Sequence, residues 1–348
     1  MYTAREQADI LKELQDASEI EASKIEGTFE NDVLASNSLE FQKIEVELEQ
    51  AYKAAFAETS WGEYLTMRAA EFGVDRKAAV KAVGSVTVSG TKGASIPQGS
   101  LFATDDNLMF ATDDAAVIPD TGHVDIAVTA QTAGIAGNVL ANTITRIPMS
   151  IPGVSSVTNT GAMHDGYDEE DDTSLYNRLV FKVRQPATSG NVNDYIEWAT
   201  SVSGVGKVKV IPIWNGNGTV KVIVTNANGE AASDTLLQAV RDYIESRHPV
   251  GADVTVVAPE IVNIAIALTV TNGTGNADAI KDLINKYFVS NDFDGEKVSY
   301  AVLGRMILDN SDTTGVLDYD NLTLNGGTSN ITVTSEQLPN ISEVTFNG

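Results

Sequence analysis

The densest reactive chemistry in this 348-residue chain is acidic: Asp165 and the block Asp168–Asp172 put six carboxylates into eight positions. Such a run can hold a divalent cation, pair with a basic partner, or form the solvated opening of a helix. The residues that follow favour the last, because Asp172 or Thr173 can cap a helix and the acids before it suit the positive end of its dipole. Asp292, Asp294 and Gly295 begin as a calcium loop begins, but no glutamate stands at the twelfth place, so the segment reads as a turn. His123, His164 and His248 lie in unlike contexts without the spacing of a zinc or general-base motif, and cysteine is absent. Asn215–Gly218 is glycine-rich but sits between two strand patterns, where it makes a hairpin turn rather than a phosphate cradle. A glycosidase-type pair among 48 acids carries no information from sequence. No catalytic residue, cofactor or metal ligand is assigned, and the chain is expected not to be an enzyme.

The formal net charge of −25 argues against nucleic acid or an anionic membrane as partner, since phosphate neutralisation needs basic patches. It suits a subunit that must stay apart from its neighbours until specific partners appear. The N-terminus lacks the basic-then-apolar pattern of a signal peptide, and no apolar run approaches the roughly 18–20 residues of a membrane span. Assembly in the cytoplasm is therefore expected. At 43% apolar residues the composition is that of a folded protein.

The elements that would position these residues change character along the chain. Thr3 and Glu6 have capping-box spacing, and Ile10, Leu11, Leu14 and Ala17 continue at helical intervals. Phe41, Ile44, Leu48 and Tyr52 form the stripe of a second helix among Glu and Gln. Trp61, Leu65, Ala69 and Phe72 mark a third, with Gly73 as its C′ residue. Narrow stripes on charged helices either close on each other or lie along a partner subunit. From Gly84 the pattern turns to strands: Ser85–Ser89 and His123–Thr129 alternate, with Gly, Pro and Asn turns between, as in an all-β sandwich or small barrel. From Asn191 the order is helix, strand, strand, helix, strand. A second strand–helix unit follows from Ile264, hinting at duplication, with Ser299 placed to cap a further helix through Met306 and short strands in the tail. The fold class is α+β multidomain: a helical assembly region 1–83, a β-rich domain 84–163, and α+β sandwich units 164–260 and 261–348.

Several elements, in one order along the chain, resemble a known family. They are Trp61-Gly62-Glu63-Tyr64-Leu65 with Gly73-Val74-Asp75-Arg76, then Ile96-Pro97 with Gly99, and Gly134 with Gly137-Asn138-Val139. Pro152-Gly153-Val154 with Val157 and Asn159, Gly166 with Asp168, Glu170 and Arg178, and Pro249 with Gly251-Ala252 continue the series. Together, over roughly residues 40–345, these resemble the baseplate J-like family of contractile phage tails, R-type bacteriocins and related injection machines. The helix after the acidic element is poorer in arginine than the family's usual pattern, keeping Arg178 and Arg184 with Lys182 between them.

The resemblance implies a baseplate wedge subunit. Its expected partners are a second copy of itself, a smaller wedge protein, the central hub and sheath-initiator proteins, and neighbouring wedges in the ring. The ring would hold the extended sheath and help trigger contraction. On this reading Phe41, Ile44, Leu48, Tyr52, Trp61, Leu65 and Phe72 are buried faces of a shared helical bundle, and Trp61→Ala or Leu65→Asp abolishes oligomer formation. The rival class is a carbohydrate-binding adhesin or depolymerase of the tail. It would want exposed aromatics in the β region, where Phe102 and Phe110 are the aromatic residues.

Overall fold

The computed structural model describes residues 2–20, 24–185, 188–290 and 297–347. The chain divides into two compact units, residues 1–76 with 170–185, and residues 77–169 with 186–348.

The first unit is helical: α1 (Gln7–Ala17), α2 (Phe29–Ala54), α3 (Gly62–Ala70) and α4 (Asp172–Arg184). α1 folds back along α2. Its expected capping box at Thr3 and Glu6 does not form; the helix starts one residue after Glu6 with no side-chain cap. The reason is competition from α2. Glu49 and Glu45 accept the backbone N–H groups of Ala4 (2.7 Å) and Arg5 (2.9 Å), so this segment lies extended along the second helix. α3 and α4 pack together around Leu65, Ala69, Val74, Leu175 and Leu179. α4 thus belongs with the N-terminal helices, although the sequence pattern groups it with 164–260. Leu175 and Leu179 find their apolar complement on α3, about a hundred residues upstream, a pairing that local periodicity does not reveal.

The second unit begins with β1 (Lys81–Gly90), β2 (Ser95–Ile96), β3 (Leu101–Thr104), β4 (Met109–Thr112), β5 (Ala116–Val117), β6 (His123–Ala133), β7 (Ile144–Arg146) and β8 (Val154–Thr158). Six of these form one sheet in the order β7-β3-β4-β6-β1-β8, and β2 pairs with β5. The sheet curls into a nearly closed barrel whose seam is Asn159, a fully buried side chain. Its Oδ1 accepts from the backbone N–H groups of Thr143 (2.9 Å) and Ile144 (2.8 Å) at the start of β7. Its Nδ2 donates to the carbonyls of Leu140 and Gly161, each at 2.8 Å. One amide thereby satisfies four backbone groups that an open sheet edge would leave to water. Val86, Val88, Phe102, Phe110, Ile126 and Val128 fill the interior.

The middle α+β part contains α5 (Val192–Thr200), β9 (Val205–Pro212), β10 (Thr219–Asn226), α6 (Asp234–Glu245) and β11 (Asp253–Val257). α5 opens with a full capping box between Asn191 and Asp194. β9 and β10 form the expected antiparallel hairpin, and β11 adds to β10 in parallel. The last part holds β12 (Glu260–Gly273), α7 (Ala277–Ser290), α8 (Tyr300–Asp309), α9 (Ser311–Thr314), β13 (Val316–Leu324) and β14 (Gln337–Phe346). Here β12 is central, antiparallel to β13 and parallel to β14. Ser299 caps α8 as its sequence suggests, accepting from Val302 N–H. The tail strands are nine and ten residues long, not short. The hint of duplication also fails: the central strand is second of three in the middle sheet and first of three in the last. Alternating strand and helix periods record which elements exist and leave strand order open.

Candidate assembly interface

The acidic run resolves into separate structural duties. Asp168 accepts from Ile135 N–H (2.9 Å) at a single 3-10 turn beside the barrel. Glu170, whose side chain is 5% exposed, forms a two-pronged pair with Arg178 at 2.6 and 2.7 Å. Asp171 is the cap of α4, accepting from Ser174 N–H at 3.0 Å. The expected caps, Asp172 and Thr173, lie one and two positions inside, and Asp172 is already engaged. Its carboxylate takes Gly62 N–H (2.9 Å) and Arg76 (2.6 Å), which together hold its pKa below the usual carboxylate range. Arg76 further donates to the Glu170 carbonyl, and Arg178 to the Asp75 carbonyl, each at 2.5 Å. Two arginines thus cross-tie the end of the N-terminal segment to the start of α4. The resemblance motifs around Gly73–Arg76 and Glu170–Arg178 meet in this knot, which their separation in sequence had hidden.

The histidines are likewise held in local structure. His123 meets the carbonyl of Thr121, and His248 lies against Glu245 and the carbonyl of Pro249. At Asp165 a histidine, a serine and a tyrosine converge: its carboxylate meets His164 Nδ1 (2.9 Å), Ser233 Oγ (2.9 Å) and Tyr167 Oη (2.8 Å). The order is wrong for nucleophilic catalysis, because the carboxylate stands between the serine and the imidazole that would have to take its proton. Burial, helped by the Asp165 carboxylate, pushes the Tyr167 phenol up. Among the described residues no group of three or more His, Asp and Glu side chains could hold a metal ion. The calcium-like segment at Asp292, Asp294 and Gly295 lies outside the described residues. Phe102 and Phe110, the aromatics a glycan-gripping barrel would need outside, are both fully buried.

The helical hairpin is built the other way round from an ordinary core. α2 turns Glu30, Asn31, Ser38 and Glu45 inward, and Ile10 is the buried apolar residue of α1. Around Ile10 the seam is held largely by polar contacts. Arg5 pairs with Glu45 and Glu13, Gln15 donates to Asn31 (2.8 Å), and Ser18 donates to Glu30 (2.6 Å). Arg5 pulls the Glu45 carboxyl down to about 2, chiefly through their side-chain hydrogen bonds. Asn31, Ser38 and Glu45 are spaced by seven, a polar repeat in the sequence that could have marked this inward face.

An adjoining face carries apolar residues. Phe41, Ile44, Leu48 and Tyr52 are spaced three, four and four, which keeps them on one side of α2 over roughly 17 Å of helix. All four are exposed, Ile44 at 58% and Leu48 at 53%. Trp61, the cap of α3, and Phe72, just beyond its end, are also exposed. Leu65 departs from the expected set. At 1% exposure it is the centre of the α3–α4 core, covered by Leu175 and Leu179 of its own chain, so no surface partner reaches it. Phe29, Val33, Phe56, Tyr64 and Met67 are exposed too and lay outside the expected set. The exposed apolar side chains of this unit thus gather on α2 and α3.

Three family models match the chain in succession: a Baseplate J-like protein barrel domain over residues 85–166, a Baseplate J-like central domain over 187–258, and a Baseplate J-like protein C-terminal domain over 262–347. The Phage-like element PBSX protein XkdT of Bacillus subtilis (strain 168) is 34% identical over 92% of this chain and 91% of its own. The uncharacterized protein YqbT of the same organism is 32% identical over 99% and 98%. The baseplate protein gp47 of Escherichia phage Mu is 31% identical over 72% of each chain. Among solved structures, the anti-feeding prophage baseplate aligns over 98% of this chain and 90% of that one, with 12% identity and a TM-score of 0.41.

Proposed function

We infer the function from one premise: this chain belongs to the Baseplate J-like family. On that premise it is a structural subunit of the baseplate of a contractile phage tail or related injection device, acting through assembly rather than through a reaction. The observation that carries this reading is the ordered run of three baseplate domains from residue 85 to 347. The outward apolar stripe of α2 supports it, because a helix that spends its polar face on its own chain leaves its apolar face for another.

The finer reading is a wedge subunit. Two copies with a smaller wedge protein form part of a ring around the central hub and sheath-initiator proteins, and neighbouring wedges join through the C-terminal α+β parts. Phe41, Ile44, Leu48, Tyr52, Trp61 and Phe72 line the shared helical bundle, and Leu65 holds α3 in place beneath it. The ring holds the extended sheath and helps to start contraction, which requires one set of contacts before triggering and another after it. The subunit assembles in the bacterial cytoplasm and leaves in the baseplate of the released particle.

Deleting the gene in its source strain, inducing particles and imaging the lysate by negative-stain electron microscopy tests this. Sheathed tails disappear if the reading holds. Intact contractile tails that merely fail to attach, or to degrade a surface polymer, would transfer the case to the adhesin class.

A further inference from the structure

The barrel, the middle α+β part and the last α+β part are joined in series, and the two joints are built differently. Between the barrel and the middle part the apolar core is shared. Val80 and Tyr167, whose backbones bond to each other, pack with Tyr195, Val205, Val222 and Val240 of the middle part. Tyr167 is buried against Gly204, where a Cβ would stand 2.6 Å from its ring. Its phenol donates to Asp165 (2.8 Å), and Ser233 Oγ, at the cap of α6, donates to the same carboxylate (2.9 Å). Lys77 Nζ adds a bond to the Val205 carbonyl at 2.9 Å. Turning the barrel against the middle part would draw a buried tyrosine out of its slot and break these bonds with it.

The middle and last parts share no apolar core among the described residues: the cluster of the one stops at Ala258 and that of the other begins at Val262. β11 runs into β12 through Ala258 and Pro259. Val289 of α7 rests on Gly229, where any Cβ would strike it. The polar contact across this joint is ionic. Lys221 on β10 pairs with Glu336 at 3.0 Å, and Trp214 of the β9–β10 turn covers the same ammonium, its ring centroid 4.1 Å away. Ile213, just before Trp214, is β-branched and exposed yet has a φ of 57°, a left-handed conformation such residues rarely adopt. Strain of this kind persists where a neighbouring contact depends on it, and here the neighbour is the tryptophan over Lys221.

We propose that Ala258–Pro259 is a hinge on which the last part swings against a rigid barrel–middle body, and that Trp214, Lys221 and Glu336 form the latch that holds it in the observed position. A partly exposed ion pair and a surface cation–π contact each bias an equilibrium by roughly fivefold at most. Together they keep the joint shut at rest and yield to a competing contact of similar size. The hinge goes beyond the assembly reading above. Only its bearing on triggering rests on that reading, in which the last part is then the piece that changes place.

Spin labels on the full-length chain test this, placed at the exposed positions Ala127 on β6, Ala239 on α6 and Ala301 on α8. Double electron–electron resonance on Ala127→Cys/Ala239→Cys should give one narrow distance at low and high salt. Ala239→Cys/Ala301→Cys should give one dominant distance at low salt and a second population that grows as salt is raised. Glu336→Gln should raise the ratio of second to first population about fivefold, and Trp214→Leu should raise it with the ion pair still present. The swap Lys221→Glu/Glu336→Lys should recover part of the closed population. A narrow Ala127–Ala239 distance in the same variants shows that the fold is intact. An Ala239–Ala301 distance unmoved by Glu336→Gln and by Trp214→Leu overturns the latch. An Ala127–Ala239 distance that broadens as much as the other overturns the rigid body. Neither result bears on the assembly reading, which is decided by the particles.

Discussion

Helix α2 and strand β12 are both amphipathic, yet they bury opposite things. β12 turns Ile264, Ile266 and Leu268 into a core closed by α7 and α8, and leaves Asn263 and Glu260 outside. α2 turns Asn31, Ser38 and Glu45 toward α1 and leaves Ile44 and Leu48 outside. Burying an aliphatic side chain contributes about 1.5–3 kcal/mol, so β12 supplies much of what its own domain needs. The polar seam of α2 supplies far less, because its hydrogen bonds replace equally good ones to water. The difference separates an element that completes its own fold from one whose largest favourable term is realised only in a complex.

That contrast is sharpest between two leucines. Leu65→Asp places a carboxylate in the α3–α4 core with no cation built to receive it, and should cost more than about 4 kcal/mol. Hydrogen exchange should show protection lost across residues 57–76 and 170–185 while the barrel and the α+β cores keep theirs. Leu48→Asp, on the exposed stripe, should change stability by no more than about 0.5 kcal/mol yet prevent assembly. Equal thermal stability of the two variants would erase the distinction between private core and shared face.

The sequence disclosed elements that carry their own period or cap: the β9–β10 hairpin, the Ser299 cap of α8, the alternation of β12 and the stripe of α2. What it concealed depends on residues far apart. Leu65 looked like one more stripe residue because Leu175 and Leu179, which cover it, lie over a hundred positions away. Thr3 looked like a cap because Glu45 and Glu49, which take the neighbouring N–H groups, sit on another helix. The acids of 168–172 looked like one cluster; in three dimensions Asp168, Glu170, Asp171 and Asp172 serve four different partners. The family motifs showed where those partners lie along the chain without showing that they touch.

Arg178→Ala extends the comparison to the arginine knot. Glu170, nearly buried, would lose its two-pronged partner, a loss of up to about 3–5 kcal/mol, and the Asp75 carbonyl would lose its donor. Differential scanning calorimetry should show the helical unit melting earlier. Arg178→Ala with Glu170→Leu should recover part of the loss, since the nearly buried carboxylate that lost its arginine is then gone as well. A smaller effect, about 2–4 kcal/mol, is expected for Asn159→Ala, which strips four backbone groups of their partner at the barrel seam. Its exchange should rise at Thr143 and Ile144 first; a uniform rise over the barrel would mean that the seam is not a local closure.

The smallest effect tests whether charge really holds α1. Arg5 depresses the Glu45 carboxyl from 4.5 to about 2, so the charged pair favours the closed hairpin above the upper value. Its contribution drains away as pH falls through the interval toward the lower one, because protonation then comes to cost the folded state no more than the open one. The chain has no cysteine, so spin labels at Lys12→Cys and Ser36→Cys, both on exposed positions, report α1 against α2 without background. The distance distribution should be narrow at neutral pH and broaden below pH 4.5, and Glu45→Gln should broaden it already at neutral pH. A distribution that stays narrow in both cases would assign the hairpin to Ile10 packing and the remaining neutral hydrogen bonds. α2 would then hold its partner helix much as β12 holds its core, and the contrast between them would shrink to the exposed stripe alone.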